Sequence, residues 1–304
     1  MNLRLERAWS VVILFIVISV GMLGEGLTKN VILFIGDGMG MSAIDLARMN
    51  TVGKENLLDF EKAPVIGLQK TYSANSLVTD SAAAGTALST GNKTNNAAIG
   101  VDINGAIVKN LVEASKEKGQ ATGIITTVSI THATPGVFGG HTQARDELPL
   151  AEEYAKYKSA DIYMGGGREY FIPQSSTGSM RRDEKNIIKE FTDSGYKYIS
   201  TKREMSDINE GKILALFEMD YLPYIIDREN MKSDAPTLAE MTKKALSILS
   251  KNKNGFFVMI EAGKIDWAAH ENDAGTLVQE VGELSDAVKE AVKFMAENPD
   301  TIII

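Results

Sequence analysis

The chain has no cysteine and only three histidines, His132, His141 and His270, in 304 residues. The first absence removes disulfides, thiolate metal sites and a cysteine nucleophile. The second means that any metal centre must lean on Asp and Glu. Positive charge is not in excess either: 32 Lys and Arg stand against 40 Asp and Glu, a formal net charge of −8. No Lys/Arg stripe stands out, so nucleic-acid binding is not expected. A phosphorylated small molecule stays open, because it needs local and not global positive charge. No internal repeat or low-complexity linker divides the chain, and its length suits one large α/β domain.

Long apolar runs are scarce as well. One spans Trp9 to Leu23, with Arg4 and Arg7 before it and Gly24-Glu25-Gly26 after it. Basic, apolar and polar segments in that order resemble a secretory signal, and the run is short for a spanning helix. No clear Ala-x-Ala site follows, so residues 1–28 read as a signal peptide or an uncleaved N-terminal anchor. The expectation is an exported chain, periplasmic or extracellular, with anchorage through this segment left open.

What the chain does contain is a series of apolar strands that end in polar clusters. Asn30 to Ile35 is a buried-strand pattern running into Gly36-Asp37-Gly38-Met39-Gly40, and a helical stretch follows to about Met49. That order places Asp37 at the C-terminal edge of a sheet, where open α/β folds bind ligands. The GxxxxGK[ST] pattern of a nucleotide loop is absent. Val78-Thr79-Asp80-Ser81-Ala82-Ala83-Ala84-Gly85-Thr86-Ala87 then sets a serine at the start of a small-residue helix. Free N–H groups there favour an anion, although a plain N-cap serine would look the same. A serine hydroxyl also needs a base or a metal before it is a competent nucleophile.

Asn110 to Lys118 reads as an amphipathic helix, and Ala121 to Thr127 as a buried strand ending in Thr131-His132-Ala133-Thr134-Pro135. Arg145 is either a surface ion-pair residue or a bidentate phosphate clamp, the task guanidinium geometry suits. His141 reads as structural. Asp161 to Met164 and Lys212 to Phe217 are further strands, and Phe171 to Ile208 reads as a polar insertion on the edge of the core. Pro236 to Leu249 is an amphipathic helix with Pro236 as its start signal. Gly255 to Ile260 is another buried strand, followed by Glu261-Ala262-Gly263-Lys264-Ile265-Asp266-Trp267-Ala268-Ala269-His270. Asp266 and His270 lie four apart, so on a helix they share a face and can share a metal. A long helix follows from Leu277 to Met295. Asp300 to Ile304 starts a further core strand, from which a chain incomplete at its C-terminus is expected.

Four strands ending at Asp37, Ser81, His132/Thr134 and Glu261/Asp266/His270 fit one metal-containing site along a sheet edge. At this point the sequence resembles the alkaline phosphatase family. The resemblance rests on Gly-Asp-Gly-Met-Gly at 36–40, Val-Thr-Asp-Ser-Ala-Ala-Ala at 78–84 and Ser-Thr-Gly-Asn-Lys-Thr at 89–94. It rests equally on Thr-His-Ala-Thr-Pro at 131–135 with Arg145, and on Glu-Ala-Gly-Lys-Ile-Asp-x-x-x-His at 261–270. It runs in register from Lys29 to Ile304, so 29–304 is expected to be a catalytic domain lacking its C-terminal part. The implied fold is α/β, a large, mostly parallel central sheet flanked by helices.

The resemblance implies hydrolysis of phosphate monoesters through a phosphoserine on Ser81, with Arg145 gripping phosphate oxygens. It implies zinc at two sites and magnesium at one. Asp37 would bridge a zinc and the magnesium, Ser81 would face that zinc, Thr134 and Glu261 would complete the magnesium site, and Asp266 and His270 would bind the second zinc. His132 and Trp267, expected near the substrate with Ser81 and Arg145, stand where some members carry Asp and Lys and others His and Trp. The remaining family zinc ligands have no match here, so each zinc shell is expected to be about half supplied. A homodimer is suggested by the resemblance alone. The alternatives are an exported, non-catalytic phosphate-binding remnant and a phosphodiesterase of the same superfamily.

Overall fold

The computed structural model describes residues 28–304; the signal or anchor segment expected at the N-terminus lies outside them. Seven strands form one sheet: β1 (Asn30–Gly36), β2 (Ala121–Ser129), β3 (Ile162–Gly166), β4 (Tyr196–Ile199), β5 (Lys212–Leu216), β6 (Phe256–Ala262) and β7 (Thr301–Ile303). Their spatial order is β4-β5-β3-β2-β6-β1-β7, and every neighbouring pair is parallel. The large, mostly parallel sheet that the family resemblance implies is therefore present. β2, β3 and β6 are buried along their whole lengths, as parallel strands covered on both faces must be.

Period-two alternation divides the core in two. Ile32, Ile125, Met164, Ile213 and Val258 point to one face, and Leu33, Ile124, Tyr163, Leu214 and Phe257 to the other. The first face is covered by α1 (Met41–Thr51), α9 (Leu238–Leu249) and α11 (Ala274–Glu297), with Ala47, Leu246 and Leu284 in the shared core. On the second face lie α2 (Ser81–Thr90), α3 (Leu111–Glu117), α4 (Ala133–Gly139), α5 (Glu147–Tyr157) and α6 (Ile187–Asp193). Gly85 of α2 packs on Val137 of α4, where a Cβ would come within 2.9 Å of the valine methyl. The small-residue run after Ser81 thus serves close helix packing.

Two expectations need correction. The segment before Ser81 forms no strand; the apolar side chains that lead into it, Leu77 and Val78, are 91% and 78% exposed, so neither packs into a sheet. The segment 171–208 is not a mere insertion, because it contributes α6, the edge strand β4 and the short helix α7 (Lys202–Asp207). The remaining helices are α8 (Arg228–Met231), between β5 and α9, and α10 (Lys264–His270), directly after β6. α9 starts at Leu238 and not at Pro236, because the Thr237 hydroxyl and Glu240 close a capping box. Among the described residues no helix is long and apolar enough to cross a membrane.

Candidate active site

The C-terminal ends of β1, β2 and β6 meet at the middle of the sheet. Register brings Glu261 on β6 level with Ile35 on one side and Thr126 on the other, so Asp37 emerges beside it. The turn after β1 needs Gly38, which has φ +64° and lies so close to Asp266 that a Cβ would sit 2.5 Å from its carboxylate oxygen. Only glycine combines that dihedral with that approach. The Asp37 and Asp266 backbones are thereby brought together.

Ser81 is the first residue of α2, and the cap is Asp80: its Oδ1 accepts the Ala83 N–H at 2.9 Å. The Ser81 hydroxyl is thus spared the capping role. It donates instead to the Asp37 carboxylate, 2.8 Å from Oδ2 and 3.1 Å from Oδ1. The other Asp80 oxygen accepts the Ala97 N–H at 2.9 Å and lies 3.7 Å from Arg145 Nη1. Asp80 therefore ties the serine helix, the loop beyond it and the arginine together.

The carboxylates crowd. Burial raises the Asp37 pKa and Asp266 raises it further, while the Ser81 hydroxyl and Arg145 pull it down. Glu261 is fully buried; burial and then Asp37 raise its pKa, partly offset by the Thr126 and Thr134 hydroxyls. Its Oε2 accepts from Thr126, while Oε1 is buried without a hydrogen bond of good geometry. A buried carboxylate oxygen lacking a donor, on a group whose pKa a neighbouring carboxylate raises, forms a cradle for a cation. Asp266 and His270 lie on one face of α10 with Oδ1 and Nε2 3.5 Å apart, as their spacing requires. Asp37, Ser81, Thr134, Glu261, Asp266 and His270 supply oxygen donors and one imidazole, a set that suits magnesium and zinc. Among the described residues, no three His, Asp or Glu side chains converge tightly enough to form a preassembled metal cluster.

Arg145 sits at the mouth, with its Nη2 3.0 Å from His132 Nε2. Guanidinium can only donate, so Nε2 accepts and the ring proton is on Nδ1. Burial, with Arg145 adding to it, pushes the His132 pKa down to about 4, which keeps the ring neutral for that role. Trp267 meets His132 edge-on, centroids 5.8 Å apart. His141 lies apart from all this. It is buried, its Nδ1 bonded to the Gly100 carbonyl and its Nε2 3.0 Å from Glu113. Every residue singled out in the sequence except His141 is thus at one sheet edge. Thr126, which hydrogen-bonds Glu261, was not singled out; its signal is a hydroxyl inside an otherwise buried strand.

Known proteins resemble this chain in sequence and in fold. The family model described as alkaline phosphatase matches residues 28–304. Alkaline phosphatase 4 of Bacillus subtilis is 38% identical over 289 residues, covering 91% of this chain and 60% of the relative. Alkaline phosphatase 3 of the same organism is 39% identical over 288 residues, with the same shares, 91% and 60%. The chain thus spans about three fifths of the length of these curated relatives. Among solved structures, the Thermus thermophilus alkaline phosphatase superposes with a TM-score of 0.83 at 33% identity, covering 92% of this chain and 59% of that one. The enzyme of the Antarctic bacterium TAB5 gives 0.81 at 33% identity, covering 91% and 78%, and a variant of it is described with Mg bound in its M3 site.

Proposed function

This chain belongs to the alkaline phosphatase family, and from that premise we propose that it hydrolyses phosphate monoesters through a phosphoserine formed on Ser81. The observation that carries the proposal is the Ser81 hydroxyl, relieved of capping by Asp80 and hydrogen-bonded to Asp37 at the head of a helix. The Ser81 oxygen attacks phosphorus as the ester oxygen leaves, giving an alcohol and a phosphoserine. Water then attacks the phosphorus, returning the Ser81 hydroxyl and releasing inorganic phosphate.

Asp37 aims the serine oxygen. Arg145, turned by His132 and Asp80, presents its remaining N–H donors to the non-bridging oxygens, and first-turn N–H groups of α2 add to the anion site. Membership of the family supports little leaving-group selectivity, so a broad range of monoesters is expected. Asp37, Thr134 and Glu261 would hold magnesium, and Asp37 with Ser81 and Asp266 with His270 would each contribute to a zinc site. Bound zinc and magnesium supply the positive charge that activates hydroxyl and water and stabilises the leaving oxygen. Two of the three histidines are engaged elsewhere, His132 with Arg145 and His141 with Glu113. The chain by itself therefore provides part of each zinc shell and is expected to hold zinc weakly. The basic and apolar N-terminal pattern supports export.

The test is hydrolysis of p-nitrophenyl phosphate with added zinc and magnesium, compared with Ser81→Ala, together with acid trapping of radiolabelled phosphate on protein. Label on Ser81 that disappears in the variant supports the proposal, even where turnover is slow. Phosphate binding without label or turnover would overturn it in favour of a non-catalytic phosphate-binding protein.

A further inference from the structure

His132 is the group that turns Arg145, yet only one of its nitrogens is held. Nε2 accepts from Arg145, whereas Nδ1 is buried with no hydrogen-bond partner among the described residues. No hydrogen bond therefore fixes the far side of the ring, and its orientation depends on packing. Trp267 supplies that packing, and Trp267 is itself backed by Tyr221. The Tyr221 and Trp267 centroids are 4.4 Å apart with the rings at 90°, an edge-to-face contact of the favourable kind.

Tyr221 belongs to the irregular stretch between β5 and α8. This stretch crosses the end of β3 so closely that a Cβ on Gly166 would lie 2.2 Å from the Asp220 carbonyl oxygen. Two bonds tie it down at the next residue. The Leu222 N–H donates to the Thr127 carbonyl at 3.1 Å. The Leu222 carbonyl accepts from Lys264 Nζ at 2.5 Å. Lys264 opens α10 and is 1% exposed. Its ammonium lies 3.6 Å from the Tyr224 ring centroid and 4.7 Å from that of Tyr221, within cation–π range of both.

We propose that Tyr221, held by Lys264, is a positioning residue for Arg145 and acts through Trp267 and His132. This rests on the reading of Arg145 as the phosphate-binding group. Arg145 is exposed and, among the described residues, its side chain is otherwise anchored only by the long contact to Asp80. A long side chain at a surface loses rotamer freedom when a ligand fixes it, and fixing it beforehand removes that cost from binding. The aromatic chain from Lys264 to His132 is the device that fixes it.

The experiment uses the full chain in a Trp9→Phe background, which leaves Trp267 as its only tryptophan. Tyr221→Ala, Tyr221→Phe and Lys264→Met are compared by three readouts: near-UV dichroism of Trp267, ¹⁵N relaxation at Arg145 Nε, and affinity for inorganic phosphate. Tyr221→Ala and Lys264→Met are expected to weaken the Trp267 signal and to mobilise Arg145. They should also weaken phosphate binding roughly three- to ten-fold, the span of one aromatic edge contact. Tyr221→Phe keeps the ring and is expected to keep Arg145 ordered. Urea unfolding is measured for each variant, and Arg145 mobility is compared among those that unfold cooperatively. An Arg145 as rigid in Tyr221→Ala as in the parent chain would overturn the proposal. A parent chain that binds no phosphate, but whose Arg145 loosens in Tyr221→Ala, would refute the phosphatase reading and still support the positioning role.

Discussion

Removing the Asp80 carboxylate should cost more stability than its partly exposed position suggests. Asp80 makes three separate interactions: the cap of α2 through Ala83, the hydrogen bond to Ala97 and the ion pair with Arg145. A lost aspartate cap costs about 1 kcal/mol. The bond to Ala97 adds about 1 kcal/mol, and it anchors a residue whose φ is +70°, a conformation unfavourable for alanine. The ion pair, long and solvent-facing, contributes at most about 0.5 kcal/mol. Asp80→Ala should therefore lose about 2–2.5 kcal/mol, or roughly 4–6 °C in Tm for a domain of this size. Asp80→Asn discriminates between the parts. One amide oxygen can satisfy either N–H but not both in this geometry, so Asn should recover about half the loss. Thermal and urea unfolding of the two variants measure this. A loss below about 0.5 kcal/mol for Asp80→Ala, or an Asn variant as unstable as the Ala variant, would refute this account of the helix start.

His141 gives a pH signature remote from the metal cradle. Burial lowers its pKa, but the Glu113 and Gly100 hydrogen bonds outweigh burial and leave it raised above 6.5. A raised histidine pKa stabilises fully below the unfolded value and is lost as pH climbs through the folded one, so the parent chain should lose Tm relative to His141→Gln as pH rises above the ordinary histidine value of 6.5. Gly38→Ala forces a β-carbon onto Asp266 at positive φ; strain of about 1–2 kcal/mol plus the clash should lower the urea midpoint and abolish phosphate turnover. Magnesium added to chelator-treated protein should raise Tm, and by much less in Glu261→Gln, if the unpartnered Glu261 oxygen receives the ion; equal shifts in both proteins would contradict that placement.

Much of this site is legible in sequence because it is built from short-range rules. Apolar runs such as Val31 to Ile35 announce strands, and the residue that follows each run is delivered to the sheet edge. The four-residue spacing of Asp266 and His270 likewise needs only a helix to become a shared face. Legibility fails where distant segments decide. No local pattern shows that Tyr221 backs Trp267, since the contact depends on a loop pinned to Thr127 and Lys264. The edge strand Tyr196-Lys197-Tyr198-Ile199 was hidden by its brevity and by the exposed Lys197. The strand expected before Ser81 failed for the opposite reason: Leu77 and Val78 have the composition of a strand, but no neighbour in the sheet accepts them. Asp80, and not Ser81, as the cap is also a tertiary outcome, since its second oxygen is claimed by Ala97.

The strand order has a consequence for how the molecule is made. Among the described strands β1 precedes all others, yet both of its neighbours, β6 and β7, follow only after β2, β3, β4 and β5, with Asn30 pairing with Phe256 and Thr301. The group β4-β5-β3-β2 can pair as it emerges from the ribosome, while the apolar ribbon carrying Asp37 waits for a partner until β6 is made. Pairings so distant along the chain are slow to form and leave sticky edges exposed meanwhile. Nascent chains halted before Phe256 should therefore be clients for holding chaperones and sensitive to protease at residues 30–36. Insertion of β6 then joins β1 to the group β4-β5-β3-β2 and gathers Asp37, Thr126 and Glu261 in a single step.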